Sequence, residues 1–170
     1  MCDLGSALYE EESVVTSELV SRYYRAPEII LGIKPTNKID IWSLGCTLFE
    51  LYTGKILFEG RNNNEMMKLF MKYNGCLNMK LLKKGEFTLL YFTEDYNYFK
   101  SYENGTITNT DVHKLKSADL NNIIMQHCKE KGDNELKVKQ FINLVEMCLN
   151  IDPFKRTSAL DAYSHPFLWE

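Results

Sequence analysis

The stretch KPTNKIDIWSLGCTLFELYTG, Lys34–Gly54, decides what kind of molecule this sequence makes. Pro35 with the polar Thr36 and Asn37 marks a helix start, and Gly54 marks its end. Between Ile39 and Tyr52, apolar residues fall on nearly every face. A helix washed by solvent keeps a polar face, so this one is predicted to be buried on several sides. It needs other helices around it.

The flanking sequence supplies them. APEIILG, Ala26–Gly32, predicts a short helix stopped at Gly32, and GRNNNEMMKLFMKYNG, Gly60–Gly75, a second with an asparagine cap. Helical period returns in ADLNNIIMQHC, Ala118–Cys128, and in ELKVKQFINLVEMCLN, Glu135–Asn150, where Phe141, Leu144, Val145 and Cys148 share a face. In TSALDAY, Ser158 and Asp161 have capping-box spacing. Residues 1–25 read as a polar, acidic loop followed by an extended stretch. From about 76 to 117 the pattern dissolves into aromatics, lysines and turn residues, which predicts a long irregular insertion with a turn at Asn104-Gly105.

The chain has 170 residues, of which 45% are apolar and 25% charged, with a formal net charge of −3. That is the composition of a globular domain with a sizeable core. No global basic field points to nucleic acid, and no apolar run approaches the ~20 residues that span a bilayer. The five cysteines are odd in number and form no CxxC clip, which predicts free thiols in an intracellular protein. Cys46 and Cys148 sit in apolar helical patterns, where a thiol behaves as a small hydrophobe.

Four blocks then stand in order: Asp3-Leu4-Gly5, Ala26-Pro27-Glu28, DIWSLG at Asp40–Gly45, and DPFKRTSALDAYSHPF at Asp152–Phe167. Together they resemble the protein-kinase signature of a metal-binding aspartate tripeptide, an activation loop and an A-P-E motif. The resemblance is to the C-terminal helical lobe of the kinase fold. It implies a mainly α partial kinase domain spanning 1–170. Residues 1–28 hold the metal tripeptide and activation segment, 29–75 and 118–170 the helical core, and 76–117 an insertion. The activation stretch VVTSELVSRYYRAPE is similar to that of the CMGC kinases. LYTGKILFEGRNNNEMMKL and MKLLKKGEF look like the spliceosomal pre-mRNA-processing serine/threonine kinases of that group.

The resemblance assigns roles. Asp3 would coordinate Mg²⁺ bridging the phosphates of ATP. Thr16 falls at the activation phosphosite, or is an unmodified loop threonine. Ser21 matches a substrate-binding hydroxyl near the catalytic aspartate, and Arg22 the arginine shaping the pocket for a proline after the phosphorylated residue. Where the family carries a tyrosine, this chain has Glu18, a permanent carboxylate. It is expected either to pair with Arg22 or Arg25, holding the loop as a phosphate would, or to be an exposed acid. Glu28 and Arg156 match the pair that fastens the activation segment to the helical core, and Asp40 a residue bonding the catalytic loop. The aromatics Phe87, Tyr91, Phe92, Tyr96, Tyr98 and Phe99 form a docking surface or simply anchor the insertion.

Much of a kinase is missing from the sequence. The nine glycines never fall in G-x-G-x-x-G spacing, no V-A-I-K strand occurs, and none of the three histidines opens an H-R-D loop. Phosphoryl transfer needs ATP, metal and nucleophile positioned together. The expectation is therefore ATP and Mg²⁺ in the complete enzyme, neither bound by these residues alone, and no activity of the isolated chain. The resemblance further implies protein substrates, splicing factors among them, an N-terminal lobe in cis, a nuclear location, and no direct nucleic-acid or membrane binding. The alternative is a truncated lobe serving as a non-catalytic interaction module. In either case, the apolar helix 39–53 is predicted to leave an apolar patch exposed, and Asp40 to lack its loop partner.

Overall fold

A computed structural model describes residues 5, 7–103, 105–115 and 118–169. After a 3-10 turn at Glu10–Glu12 and another at Arg22–Tyr24 come helices α1 (Pro27–Leu31), α2 (Lys38–Thr53), α3 (Asn63–Asn74), α4 (Met79–Leu82) and α5 (Thr88–Tyr91). An antiparallel hairpin, β1 (Tyr98–Glu103) and β2 (Thr106–Asp111), follows, and then α6 (Leu120–Lys131), α7 (Glu135–Cys148) and α8 (Ala159–Tyr163). Short 3-10 turns at Val112–Lys114 and Pro166–Leu168 complete the order.

The helix ends follow local chemistry. The Asn62 side chain caps α3 by accepting from the Glu65 amide at 2.9 Å, which satisfies one of the donors that a first turn leaves unpaired. Ser158 and Asp161 form the reciprocal capping box of α8. Gly54 ends α2 at φ +70°, a backbone state that glycine adopts without steric cost.

Helix α2 is the axis. Trp42 is fully buried. It stacks on Phe58 with centroids 5.4 Å apart and meets Phe70 edge-on at 5.2 Å. Around this aromatic knot lie Ile29, Ile30, Leu31, Met66, Met67 and Met71, all excluded from water. On the next face α2 meets α7 at very short range: a Cβ built on Gly45 would come within 2.9 Å of Cys148 Cβ and of Leu149.

The third face differs. Leu44 is 43% exposed and Leu51 77% exposed, with the partly buried Leu48 between them at helical spacing. Leu48 and Leu51 line an apolar cleft of about 500 Å³ with Val138, Phe141 and Phe167. The predicted exposed patch on α2 therefore exists, beside two faces on which the helix is buried.

Residues 76–117 are less irregular than the sequence indicated. They hold α4, α5 and the hairpin, whose register pairs Glu103 with Thr106. Gly105 takes φ +77° there, and Asn104 lies outside the described residues. Tyr91, Phe92 and Phe99 are buried, Phe92 and Phe99 in edge contact at 5.5 Å. These aromatics anchor the insertion; Tyr98, 42% exposed, is the member of the set most open to solvent. Asn64 fastens the hairpin to α3, donating to the Lys100 carbonyl at 2.6 Å and accepting from the Tyr102 amide at 3.2 Å.

Candidate functional site

The end of the N-terminal loop, at the start of α1, is joined to the chain after α7 by Glu28 and Arg156. Pro27 opens α1, where a missing N–H costs no hydrogen bond, and places Glu28 in the first turn. Arg156 is presented by the turn after α7, in which the Lys155 and Arg156 amides both bond the Asp152 carbonyl. The two side chains meet in a forked pair, Nη1 to Oε1 at 2.6 Å and Nη2 to Oε2 at 2.9 Å, each almost fully removed from water. The guanidinium also donates to the carbonyls of Asn150 at 2.9 Å and Lys38 at 2.8 Å, and it lies 5.1 Å from the Trp42 ring. A buried guanidinium needs its donors met, and here α1, α2 and the end of α7 all contribute.

Earlier in the same loop sits Arg25, only 4% exposed. Its Nε and Nη2 take the Val20 carbonyl at 3.2 and 2.9 Å, and Nε also reaches Leu19 O at 3.1 Å. Nη2 further lies 3.4 Å from both the backbone and the carboxylate oxygens of Glu18. Nη1 bonds Asn63 Oδ1 at 2.8 Å, at the start of α3. Three consecutive carbonyls of the loop thus converge on one cation. Val20 is held in the left-handed region, φ +68°, an unfavourable state for a β-branched residue.

The residues predicted from sequence are distributed as follows. Glu18 meets Arg25, with the acid 69% exposed, whereas Arg22 turns away and donates to the Arg61 carbonyl at 2.8 Å. Thr16 is half-buried, and its hydroxyl accepts from the Glu18 amide at 3.3 Å. Ser21 and Arg22 are exposed on the outer surface of the loop. Asp40 stands exposed in the first turn of α2, where the helix dipole favours an acid. Asp3 lies outside the described residues. Sequence reading missed Val20 and Asn63. Valine is a poor candidate for φ > 0, and the run Asn62-Asn63-Asn64 reads as a capping signal alone.

A model of the protein kinase domain matches residues 1–168. The chain belongs to the protein kinase family. This kinase chain is 42% identical to the serine/threonine-protein kinase prp4 of Schizosaccharomyces pombe, over 98% of its length and 36% of the relative's. It is 41% identical to the serine/threonine-protein kinase prpf4B of Dictyostelium discoideum, covering 98% of this chain and 21% of that one. A dual specificity tyrosine-phosphorylation-regulated kinase 2 of Drosophila melanogaster is 33% identical over 98% of the chain and 21% of the relative. The kinase chain therefore spans only about a fifth to a third of the relatives it matches. The relatives are of the type to which the motifs pointed.

Protein kinases use ATP with Mg²⁺. Among the described residues no group of three or more His, Cys, Asp or Glu could hold a metal ion.

Proposed function

We propose that this chain is the helical, C-terminal lobe of a serine/threonine kinase of the pre-mRNA-processing type, and that it holds the protein substrate. The observation that carries the reading is the Arg25 clamp on residues 18–20. With the Val20 carbonyl turned inward and bonded to Arg25, it is not offered to an N–H of a bound peptide. A buried N–H with no acceptor is costly, and proline has no N–H. The loop therefore favours proline directly after the phosphorylated serine or threonine, with Arg25 rather than Arg22 shaping that pocket and Ser21 the substrate-binding hydroxyl. Glu18 supplies the anion that Arg25 takes without any modification, Thr16 is the phosphosite, and Asp3 is the chain's contribution to Mg²⁺ and ATP. Glu28 and Arg156 hold the segment, and Asp40 accepts backbone N–H bonds from the catalytic loop.

By the same resemblance, the N-terminal lobe and catalytic loop belong to chain that these residues do not include. The substrates are splicing proteins, and the site of action is the nucleus. Among the described residues no helix is long and apolar enough to cross a membrane. A second reading, a non-catalytic interaction module, is favoured by the apolar cleft between α2 and α7.

The test is phosphate transfer from ATP to two peptides that differ only in Ser-Pro or Ser-Ala, using the full-length protein and residues 1–170 alone. Transfer by the full-length protein with the Ser-Pro peptide preferred, and none by 1–170, is the expected result. A full-length protein with no transfer activity would establish the interaction module instead. Transfer by residues 1–170 alone would overturn the lobe reading.

A further inference from the structure

We propose that Asn63 is a positioning residue for the subsite that receives the residue after the phosphoacceptor, acting on it through Arg25. The inference rests on the substrate-holding reading above and adds a residue to it.

The left-handed Val20 needs something to hold it. Arg25 does so, but a guanidinium that is 4% exposed keeps its orientation only if each edge has an acceptor. The Nε and Nη2 edge faces the loop carbonyls. For Nη1 the acceptor is Asn63 Oδ1, 2.8 Å away. Glu18 cannot replace it: its carboxylate reaches Nη2, not Nη1, and at 69% exposure its pull is screened by water.

The orientation of the Asn63 amide is fixed by its neighbours. Arginine only donates, so Oδ1 faces Arg25, and Nδ2 then faces the Ser17 carbonyl at 3.3 Å. One side chain thus ties residues 17 and 25 of the activation segment together. It does so from the rigid first turn of α3, a helix anchored by Met66, Met67, Phe70 and Met71.

Without the Asn63 oxygen, Nη1 is buried without an acceptor, and the guanidinium swings toward water. Val20 O is released, and Val20 relaxes to an extended conformation. Its carbonyl then becomes available to a peptide N–H, so the penalty against non-proline substrates disappears.

The experiment compares full-length wild type, Asn63→Ala and Asn63→Asp, the last keeping an acceptor for Arg25. Two readouts are taken: the kcat/KM ratio for Ser-Pro over Ser-Ala peptides, and amide hydrogen exchange of residues 17–22. Asn63→Ala is expected to lower the ratio about tenfold, mostly through KM, and to speed exchange at 17–22 while residues 66–71 stay protected. Asn63→Asp is expected to keep both at the wild-type level. An Asn63→Ala protein with unchanged ratio and unchanged exchange overturns the proposal, as does an Asp variant that behaves like Ala. If the wild type shows no proline preference, the substrate reading falls. The exchange data still decide the role of Asn63: faster exchange in Asn63→Ala alone keeps it, and no change removes it.

Discussion

Replacing Arg156 with methionine removes the guanidinium but keeps most of the side-chain length, and it leaves the Glu28 carboxylate buried without its partner. Charge centres about 4 Å apart attract by about 4 kcal/mol at an effective dielectric of about 20. The carbonyls of Asn150 and Lys38 lose donors as well, each worth about 1 kcal/mol. Methionine recovers part of this by not needing to be desolvated as an ion. The expected cost is about 3–5 kcal/mol, the usual range for breaking a buried pair. Glu28→Leu is expected to cost about as much for the mirror reason. The double variant, apolar on both sides, should cost less than the sum by about 2–3 kcal/mol. Urea denaturation followed by tryptophan emission measures this cleanly. Trp42 is buried against Arg156, and Trp169, at 60% exposure, already emits in a wet environment. Single variants costing under about 1 kcal/mol, or strictly additive effects, would refute the claim that this pair is a desolvated clamp.

Gly45→Ala should raise the helix propensity of α2 by about 1 kcal/mol yet lower net stability by about 1–2 kcal/mol. The added methyl meets Cys148 Cβ and Leu149 at 2.9 Å, and a thermal melt decides the sign. Thiol labelling under native conditions should mark the exposed Cys76 and spare the buried Cys46, Cys128 and Cys148. Burial pushes the Cys148 thiol up to about 11 from 9.0, and raises that of Cys46 further. Their unfolded counterparts ionise first, so the stability they contribute is complete below pH 9 and is lost as pH rises above it. The slope reaches at most about 1.4 kcal/mol per pH unit per thiol, measured by denaturation at pH 8 to 10.5. Glu18→Gln should loosen residues 17–20 by less than about 1 kcal/mol, since the acid is exposed. A several-fold rise in amide exchange is expected there, and none at all would remove Glu18 from the clamp.

What the sequence showed, it showed through local rules. The capping signals at Asn62 and Ser158, and the stops at Gly54 and Gly75, lie within a few residues of what they control, and the helices begin and end where those signals stand. The hairpin was hidden because it lacks the alternation that marks a strand. Along β1 the core-facing residues are Phe99 and the polar Ser101, and β2 has no buried residue at all. Its stability comes from Asn64 and from Phe92 against Phe99, contacts that no local window contains. Glu28 and Arg156 were readable as motif residues, although 128 positions separate them. Val20 was not. Its conformation runs against its own propensity, and its carbonyl is bonded by Arg25, which is itself held by Asn63.

The uncovered row Leu44, Leu48 and Leu51 bears on how long the molecule survives in a cell. A folded surface that shows a row of leucines presents the same signal to chaperones and proteases as a damaged one. Whatever packs on that row, its supply acts by mass action: at a hundred times its dissociation constant it adds about 2.7 kcal/mol to the folded side. Abundance of this chain would then track the abundance of its cover, and surplus copies would be cleared without any dedicated degradation signal.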